Sequence, residues 1–288
     1  MDVKAYFEKK ARIVDRGLDR LLPEKGRYLS TIHDAMRYSI FAGGKRLRPV
    51  LAMAAFEALG GKGSRILPAA CAIEMVHTFS LIHDDLPCMD DDDFRRGKPT
   101  SHKVFGEAMA VLAGDALCIR AFEILGGYGR LPLAREMGRA LGTSGMLGGQ
   151  VVDIESENRA VIDEERVRFI HQHKTEALIT SSVRIGALIA GAGKASLSLI
   201  SRYGRGVGLA FQIVDDVLDV TGTTESLGKD AGSDIENKKA TYPRLFGVGE
   251  SRKKARALAA KAKEALAPLK KRGEALAAIA DFIVDRVN

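Results

Sequence analysis

The chain has 288 residues, 46% of them hydrophobic and 28% charged, with a formal net charge of +7. That length and balance suit one soluble domain with a large core, and no apolar run reaches the roughly 18 residues of a membrane span. The positive charge comes without a basic stripe interleaved with aromatics, which points to a small anionic partner rather than nucleic acid. The opening segment, MDVKAYFEKKARIVDRGLDRLL, alternates acids and bases with no apolar stretch of the signal-peptide kind. Cys71, Cys88 and Cys118 form no CxxC pair, so a reducing, cytoplasmic setting is expected.

Apolar residues recur at three- and four-residue spacing almost throughout, as in Ala35–Met36–Ile40, Val50–Leu51–Ala54 and Ile179–Val183–Ala187, and little of the chain alternates as a strand would. The expected fold is therefore all-α, a single helical domain over residues 1–288 with no linker. Helix stops are expected at Gly60–Gly61, Gly126–Gly127, Gly191–Gly193 and Gly222. Helices 68–86 and 200–220 are apolar on most of their surface and should be central, whereas the Ala-, Lys- and Glu-rich last forty residues look peripheral. The polar, glycine-bearing stretch 222–240 reads as one long loop of the kind that is often functional.

In chain order, the first chemical element is Gly43-Gly44-Lys45-Arg46-Leu47-Arg48-Pro49. Lys45 and Arg48, three apart, make a fork for a phosphate group. The segment is no P-loop, because GxxxxGK[ST] fails and no strand precedes it. The second element is an acidic run, Asp84-Asp85 and Asp90 to Asp93, followed at once by Phe94-Arg95-Arg96-Gly97-Lys98-Pro99. It begins where Pro87 must end the preceding helix. It lacks the D-x-D-x-D-G spacing and terminal Glu of an EF-hand. The third is His171-Gln172-His173-Lys174-Thr175. Two-residue spacing puts the histidines on different sides of a helix, so Lys174 is the expected working residue. Gly204-Arg205-Gly206-Val207-Gly208 has no preceding strand and reads as small residues that permit close helix packing. The fourth is Phe211-Gln212-Ile213-Val214-Asp215-Asp216-Val217-Leu218-Asp219. A helix turns about 100° per residue, so Asp215 and Asp219 lie within about 40° of each other, with Gln212 a turn earlier on the same side. Carboxylates this dense on apolar helices resist burial unless a cation holds them, and oxygen ligands suit a hard ion such as Mg²⁺ shared with substrate phosphates.

Seven motifs stand in one order: GGKRLRP (43–49), HTFSLIHDDLPCMDDDDFRRGKPT (77–100), GGQVVD (148–153), HKT (173–175), FQIVDDVLD (211–219), GKDAGSD (228–234) and NKKATYP (237–243). In these the chain resembles the trans-isoprenyl diphosphate synthases, the polyprenyl synthetase family, over nearly its whole length. The resemblance implies the isoprenoid synthase fold, a helical bundle around a deep central cavity, usually a homodimer. It implies that Asp84 and Asp90, with Asp85 beside them, bind magnesium. Asp215, supported by Asp216 and Asp219, would do so from the opposite wall, with about three ions per site bridging carboxylates and diphosphate. Arg95, Lys174, Lys229 and Lys239 would take the remaining oxygens of an allylic diphosphate. Lys45, Arg48, His77 and Arg96 resemble a metal-free pocket for isopentenyl diphosphate. Gln212, Thr175 and the Lys174 carbonyl would face the allylic carbocation. Phe79, five residues before Asp84, together with the DDxxxxD form of the first motif, resembles the bacterial farnesyl type. The expected product is therefore C15, with C20 or C10 synthases the nearest alternatives. A non-catalytic subunit would typically lose an aspartate motif or carry CxxxC pairs, and neither is the case. Only Arg286 stands where relatives often carry a basic tail.

Overall fold

The repeating apolar spacing becomes helix almost everywhere in the computed structural model, which describes residues 1–24, 28–157, 163–222, 239 and 241–287. The first helix, α1 (Val3–Leu21), starts at Asp2, whose carboxylate accepts from the Ala5 amide and so satisfies an end group of the helix. It is followed by α2 (Ser30–Ile40), α3 (Leu47–Ala58) and α4 (Leu67–Asp84). A two-residue hairpin pairs β1 (Phe94–Arg95) with β2 (Lys98–Pro99), turning at Arg96 and Gly97, both with positive φ. Then come α5 (Ser101–Phe105), α6 (Glu107–Gly126), α7 (Leu131–Leu141) and α8 (Met146–Ile154). Next, α9 (Glu164–Ile170) passes through a π-helical turn, His171–Glu176, into α10 (Ala177–Ile189). The long α11 (Lys194–Thr221), α12 (Tyr242–Ala265), a 3-10 turn (Ala267–Gly273), α13 (Glu274–Val284) and a last 3-10 turn (Asp285–Val287) complete the chain.

The central helix α4 is buried from Ala69 to Val76 without a break, as its nearly all-apolar surface requires. It packs between α6, α3 and α1. The second long helix begins at Lys194 rather than near residue 200, because Ser196 to Ser198 continue the helical spacing. It ends at Gly222, as expected. The stop at Gly126–Gly127 is also observed. Small residues set the spacing of the bundle. A Cβ on Gly204 or Gly208 would meet the backbone of Thr180 or Glu176 at 2.8 Å, and one on Gly206 would meet Ala262 at 2.9 Å. The glycine-rich segment thus serves helix packing.

One expectation is corrected. The chain's end is not peripheral: Leu276, Ile279, Ala280 and Ile283 of α13 are at most 1% exposed and belong to the core with α3 and α11. Alanine and lysine dominate the composition there, but one face of α13 is continuously apolar and that face goes inward. The expected loop over 222–240 falls outside the described residues apart from Gly222 and Lys239.

Two glycines separate packing from helix propensity. Alanine is about 1 kcal/mol the better helix former. Nothing stands within 4 Å of a Cβ built on Gly138 in α7, whereas one on Gly186 in α10 would fall 2.1 Å from the Ala52 carbonyl oxygen of α3. Gly138→Ala is expected to raise the denaturant midpoint slightly. Gly186→Ala should lower stability by about 2 kcal/mol, the scale of core overpacking, read from the same unfolding curves.

Candidate active site

The end of α4 and the turn after it bring the first acids together. Asp84 is in the last turn, and its carbonyl accepts from the Asp90 amide at 2.8 Å while Leu86 O accepts from Met89. These bonds fold the run back on itself, so that Asp84, Asp90 and Asp92 border one cavity of about 490 Å³. From the facing wall α11 contributes Gln212, Asp215 and Asp219, as their shared helical face predicts.

Three of the cavity's cations are seated on carboxylates. Lys239 Nζ donates to Asp90 (3.0 Å), Lys174 Nζ to Asp153 (2.6 Å) and Arg286 Nη1 to Asp215 (2.9 Å). Burial raises the pKa of Asp84 and of Asp215; Asp90 pushes Asp84 further up and Asp216 does the same to Asp215. Burial also opposes ionisation of Asp90, but Lys174 and Lys239 outweigh it and hold that carboxyl below its ordinary range. Lys174 is held above the usual lysine range, because Asp153, Asp84 and Asp90 together outweigh its burial.

Another part of the lining is basic. Lys45, Arg48, His77 and Arg96 border it with Leu47 and Phe211. Arg48 Nη1 donates to His77 Nε2 at 3.1 Å, which requires a neutral imidazole. Burial, reinforced by Arg48 and Arg96, depresses His77 accordingly. Burial pulls Arg48 itself down to about 10. The Arg48 and Arg286 guanidiniums both lie over the Phe211 ring, 5.9 and 5.6 Å from its centroid.

Not every residue singled out from sequence reaches the cavity. Asp85 turns away from it. Its carboxylate accepts a hydrogen bond from Arg95 Nε at 2.5 Å, and Arg95 also donates to Asp92. Asp85 thus holds the arginine instead of standing beside Asp84, because successive residues at a helix end point in different directions. Asp216 is likewise turned into the bundle, where it accepts from Gln212 Nε2 (2.8 Å) and the Tyr242 amide (2.9 Å), with His171 Nε2 at 3.1 Å. Phe79 packs in the α4–α6 layer with its ring edge-on to His83; the face of α4 that borders the cavity is Glu74, His77, Leu81 and Asp84. Lys229 lies outside the described residues.

The π turn explains how Lys174 and Thr175 work together. Its extra residue per turn sets both beside α11, and Thr175 Oγ1 donates to Gln212 Oε1 at 2.5 Å. Asp216 accepts from the amide's other end, so both ends of the Gln212 amide, at a position that borders the cavity, are fixed. His171 and His173 bind no common partner: His171 stands on Asp216, and His173 bonds the Phe169 carbonyl. Asp153, in GGQVVD, has a role that sequence reasoning missed: it seats Lys174. A lone acid after two valines is a weak signal, although the segment's place among the ordered motifs marked it.

The donor set fits a hard divalent cation. Asp84, Asp90, Asp215 and Asp219 offer only oxygens around one cavity. Burial and a neighbouring aspartate raise Asp84 and Asp215, while Lys174 and Lys239 hold Asp90 down, so a further cation would relieve charge that lysine and arginine now balance. One further donor group among the described residues, Asp91, Asp93 and His102, lies outside the cavity, and Asp93 pairs there with Lys103.

Residues 30–279 match the polyprenyl synthetase family. The chain is 45% identical to the geranylgeranyl diphosphate synthase of Cyanophora paradoxa, over 98% of this chain and 96% of that protein. It is 50% identical to a dimethylallyltranstransferase of Fischerella ambigua, over 91% and 78%. Its fold matches an FPP/GFPP synthase from Zymomonas mobilis with a TM-score of 0.87 at 37% identity, covering 98% and 99% of the two chains. The chain belongs to the polyprenyl synthetase family and is a trans-prenyltransferase with the isoprenoid synthase fold.

Raised carboxyls make stability depend on pH in a definite direction. A folded-state pKa above the ordinary 3.8 for Asp84 means that the folded chain holds a proton the unfolded chain has released. Stability therefore falls as pH rises through that window and stays low above it. Asp84→Asn removes this penalty. In EDTA the variant should melt above the parent near neutral pH, and the difference should shrink as pH falls towards the ordinary carboxylate range. A constant difference across pH would assign the raised charge elsewhere.

Proposed function

We propose that the protein condenses isopentenyl diphosphate head to tail with allylic diphosphates, using magnesium. One observation carries this reading: a single cavity is lined both by carboxylates from two facing walls and by the basic set Lys45, Arg48, His77 and Arg96. An allylic diphosphate fits the acidic lining, and isopentenyl diphosphate fits Lys45, Arg48, His77 and Arg96. Cyclases acting on one diphosphate have no need of the second pocket.

Asp84, Asp90, Asp215 and Asp219 would hold the magnesium, about three ions by likeness to the family, and the metal would supply charge to neutralise the leaving diphosphate. Lys174, Lys239 and Arg95 supply further positive charge to its oxygens. Lys174 and Lys239 exchange a carboxylate partner for a phosphate one. The allylic C–O bond then breaks. Gln212 Oε1, held by Thr175 on one side and oriented through Asp216 on the other, presents its dipole to the carbocation together with the Lys174 carbonyl. The isopentenyl double bond attacks, and the released diphosphate takes the proton.

The names of the relatives favour geranylgeranyl diphosphate, C20, as the product. The C15 expectation rested on Phe79 together with the DDxxxxD form of the first motif. The ring is the part the structure addresses. The Phe79 ring lies on another face of α4 from His77 and Asp84, which weakens a direct block, yet a bulky ring in the α4–α6 layer and the FPP/GFPP neighbour keep farnesyl diphosphate as the second reading. A homodimer suits the exposed apolar side chains of two helices. Leu112 and Ile119 on α6 are 51% and 63% exposed, and Leu147 and Val151 on α8 are 47% and 53%. The free cysteines fit a reducing compartment such as the cytoplasm.

Two measurements test the proposal. Asp215→Ala should lower kcat about 10³-fold at saturating magnesium, a loss of roughly 4 kcal/mol of transition-state stabilisation; near-normal turnover would remove Asp215 from the site. Given labelled isopentenyl and dimethylallyl diphosphates, the enzyme should accumulate C20 by chromatography of the dephosphorylated products, and Phe79→Ala should leave that length unchanged. Wild-type C15 that lengthens in Phe79→Ala would establish the second reading and restore the ring as the floor.

A further inference from the structure

Arg46 takes no part in the chemistry above, yet it is the residue on which the basic lining of the cavity is hung. Its side chain is buried, and four oxygens hold its guanidinium. Nε donates to Asp15 (2.8 Å) of α1, Nη1 to Glu74 (2.8 Å) of α4 and to the Gly43 carbonyl (3.3 Å), and Nη2 to the Ile40 carbonyl (2.7 Å) at the end of α2. Glu74 is 1% exposed, so this is a buried ion pair completed by hydrogen bonds rather than a surface pair.

The backbone at Arg46 is left-handed, φ 52° and ψ 36°, a conformation that L residues adopt only when their surroundings impose it. That one residue sets the direction of two phosphate-seeking side chains. Lys45 precedes it and borders the cavity. Arg46 is itself the N-cap of α3, its carbonyl accepting the first helical bond from Val50 (3.0 Å), so its placement fixes the first turn, which carries Arg48. Glu74 stands three residues before His77 on the same face of α4. The clamp therefore ties together the three segments that carry Lys45, Arg48 and His77.

We propose that Arg46 is a positioning residue for isopentenyl diphosphate: its buried fork, gripping Asp15, Glu74 and two carbonyls, holds Lys45 and Arg48 in register with His77. The inference rests on the assignment of that pocket to isopentenyl diphosphate. A rival account is that Arg46 only adds positive charge near the diphosphate. Arg46→Lys separates the two, because an ammonium keeps the charge beside Glu74 but cannot make the planar fork to Asp15, Glu74 and Ile40 O together.

The test measures KM for each substrate with the other saturating, kcat, and the melting temperature, for Arg46→Lys, Asp15→Ala and Lys45→Ala. Arg46→Lys should raise KM for isopentenyl diphosphate about 10-fold and KM for the allylic diphosphate less than about twofold, the effect expected when contact groups lose their alignment. Asp15→Ala, which cuts one tether at the partly exposed end, should raise the same KM by about threefold and serves as the deciding variant if Arg46→Lys does not fold. Equal changes in both KM values, or a lower melting temperature with neither KM changed, would overturn the inference. Lys45→Ala is the control for the pocket. If it raises KM for isopentenyl diphosphate while the clamp variants do not, only the positioning role falls; if it does not, the pocket assignment falls and takes the inference with it.

Discussion

The structure turns on one electrostatic problem. Carboxylates from two walls face a shared cavity, where burial makes each ionised group costly and its neighbours make it costlier still. The chain meets this with its own cations. Lys239 sits on Asp90, Arg286 on Asp215, and Lys174 on Asp153 within reach of Asp84 and Asp90. These partners come from distant parts of the chain, so neutralising the site also draws together the end of α4, the π turn and the last turn before the C-terminus. The same cations are the ones a diphosphate would attract. A site balanced in this way is prepared for a bound metal and an anion together, since each relieves the partner the other displaces.

The surrounding framework separates residues that face the ligand from residues that hold them. Asp85 and Asp216 each follow a cavity-facing aspartate by one position, and each turns inward to fix something else: Asp85 fixes Arg95, and Asp216 fixes Gln212, the Tyr242 amide and His171. A paired Asp-Asp at a helix is thus two devices. One carboxylate is kept for the ligand and the other for the scaffold, because a 100° turn per residue sends neighbours to different surroundings. Arg46 extends the pattern to the basic lining, where a residue between Lys45 and Arg48 spends its guanidinium on Asp15, Glu74 and two carbonyls of the scaffold.

Close helix approach makes these juxtapositions possible. The glycines of α11 bring it against the π turn and α12, and Gly186 brings α10 against α3. At such distances a shift by one methyl group would move Lys174 and Thr175 relative to Gln212. Glycine at those positions is therefore part of the site's geometry as well as of the core.

By itself the sequence determined the all-helical class, the two aspartate clusters, the shared face of Gln212, Asp215 and Asp219, the Lys45–Arg48 fork and the packing role of Gly204 to Gly208. All of these follow from local periodicity and from the repulsion of crowded like charges, which require no knowledge of the partners. Only the tertiary structure decided which cation stands on which acid, that Asp85 and Asp216 look inward, that α13 is core rather than periphery, that Phe79 leaves the cavity-facing side of α4, and that the helix through His171 to Glu176 widens into a π turn. Each of these depends on what another segment, often more than a hundred residues away, presents at that point. Helical spacing says which residues share a face but not what that face will meet.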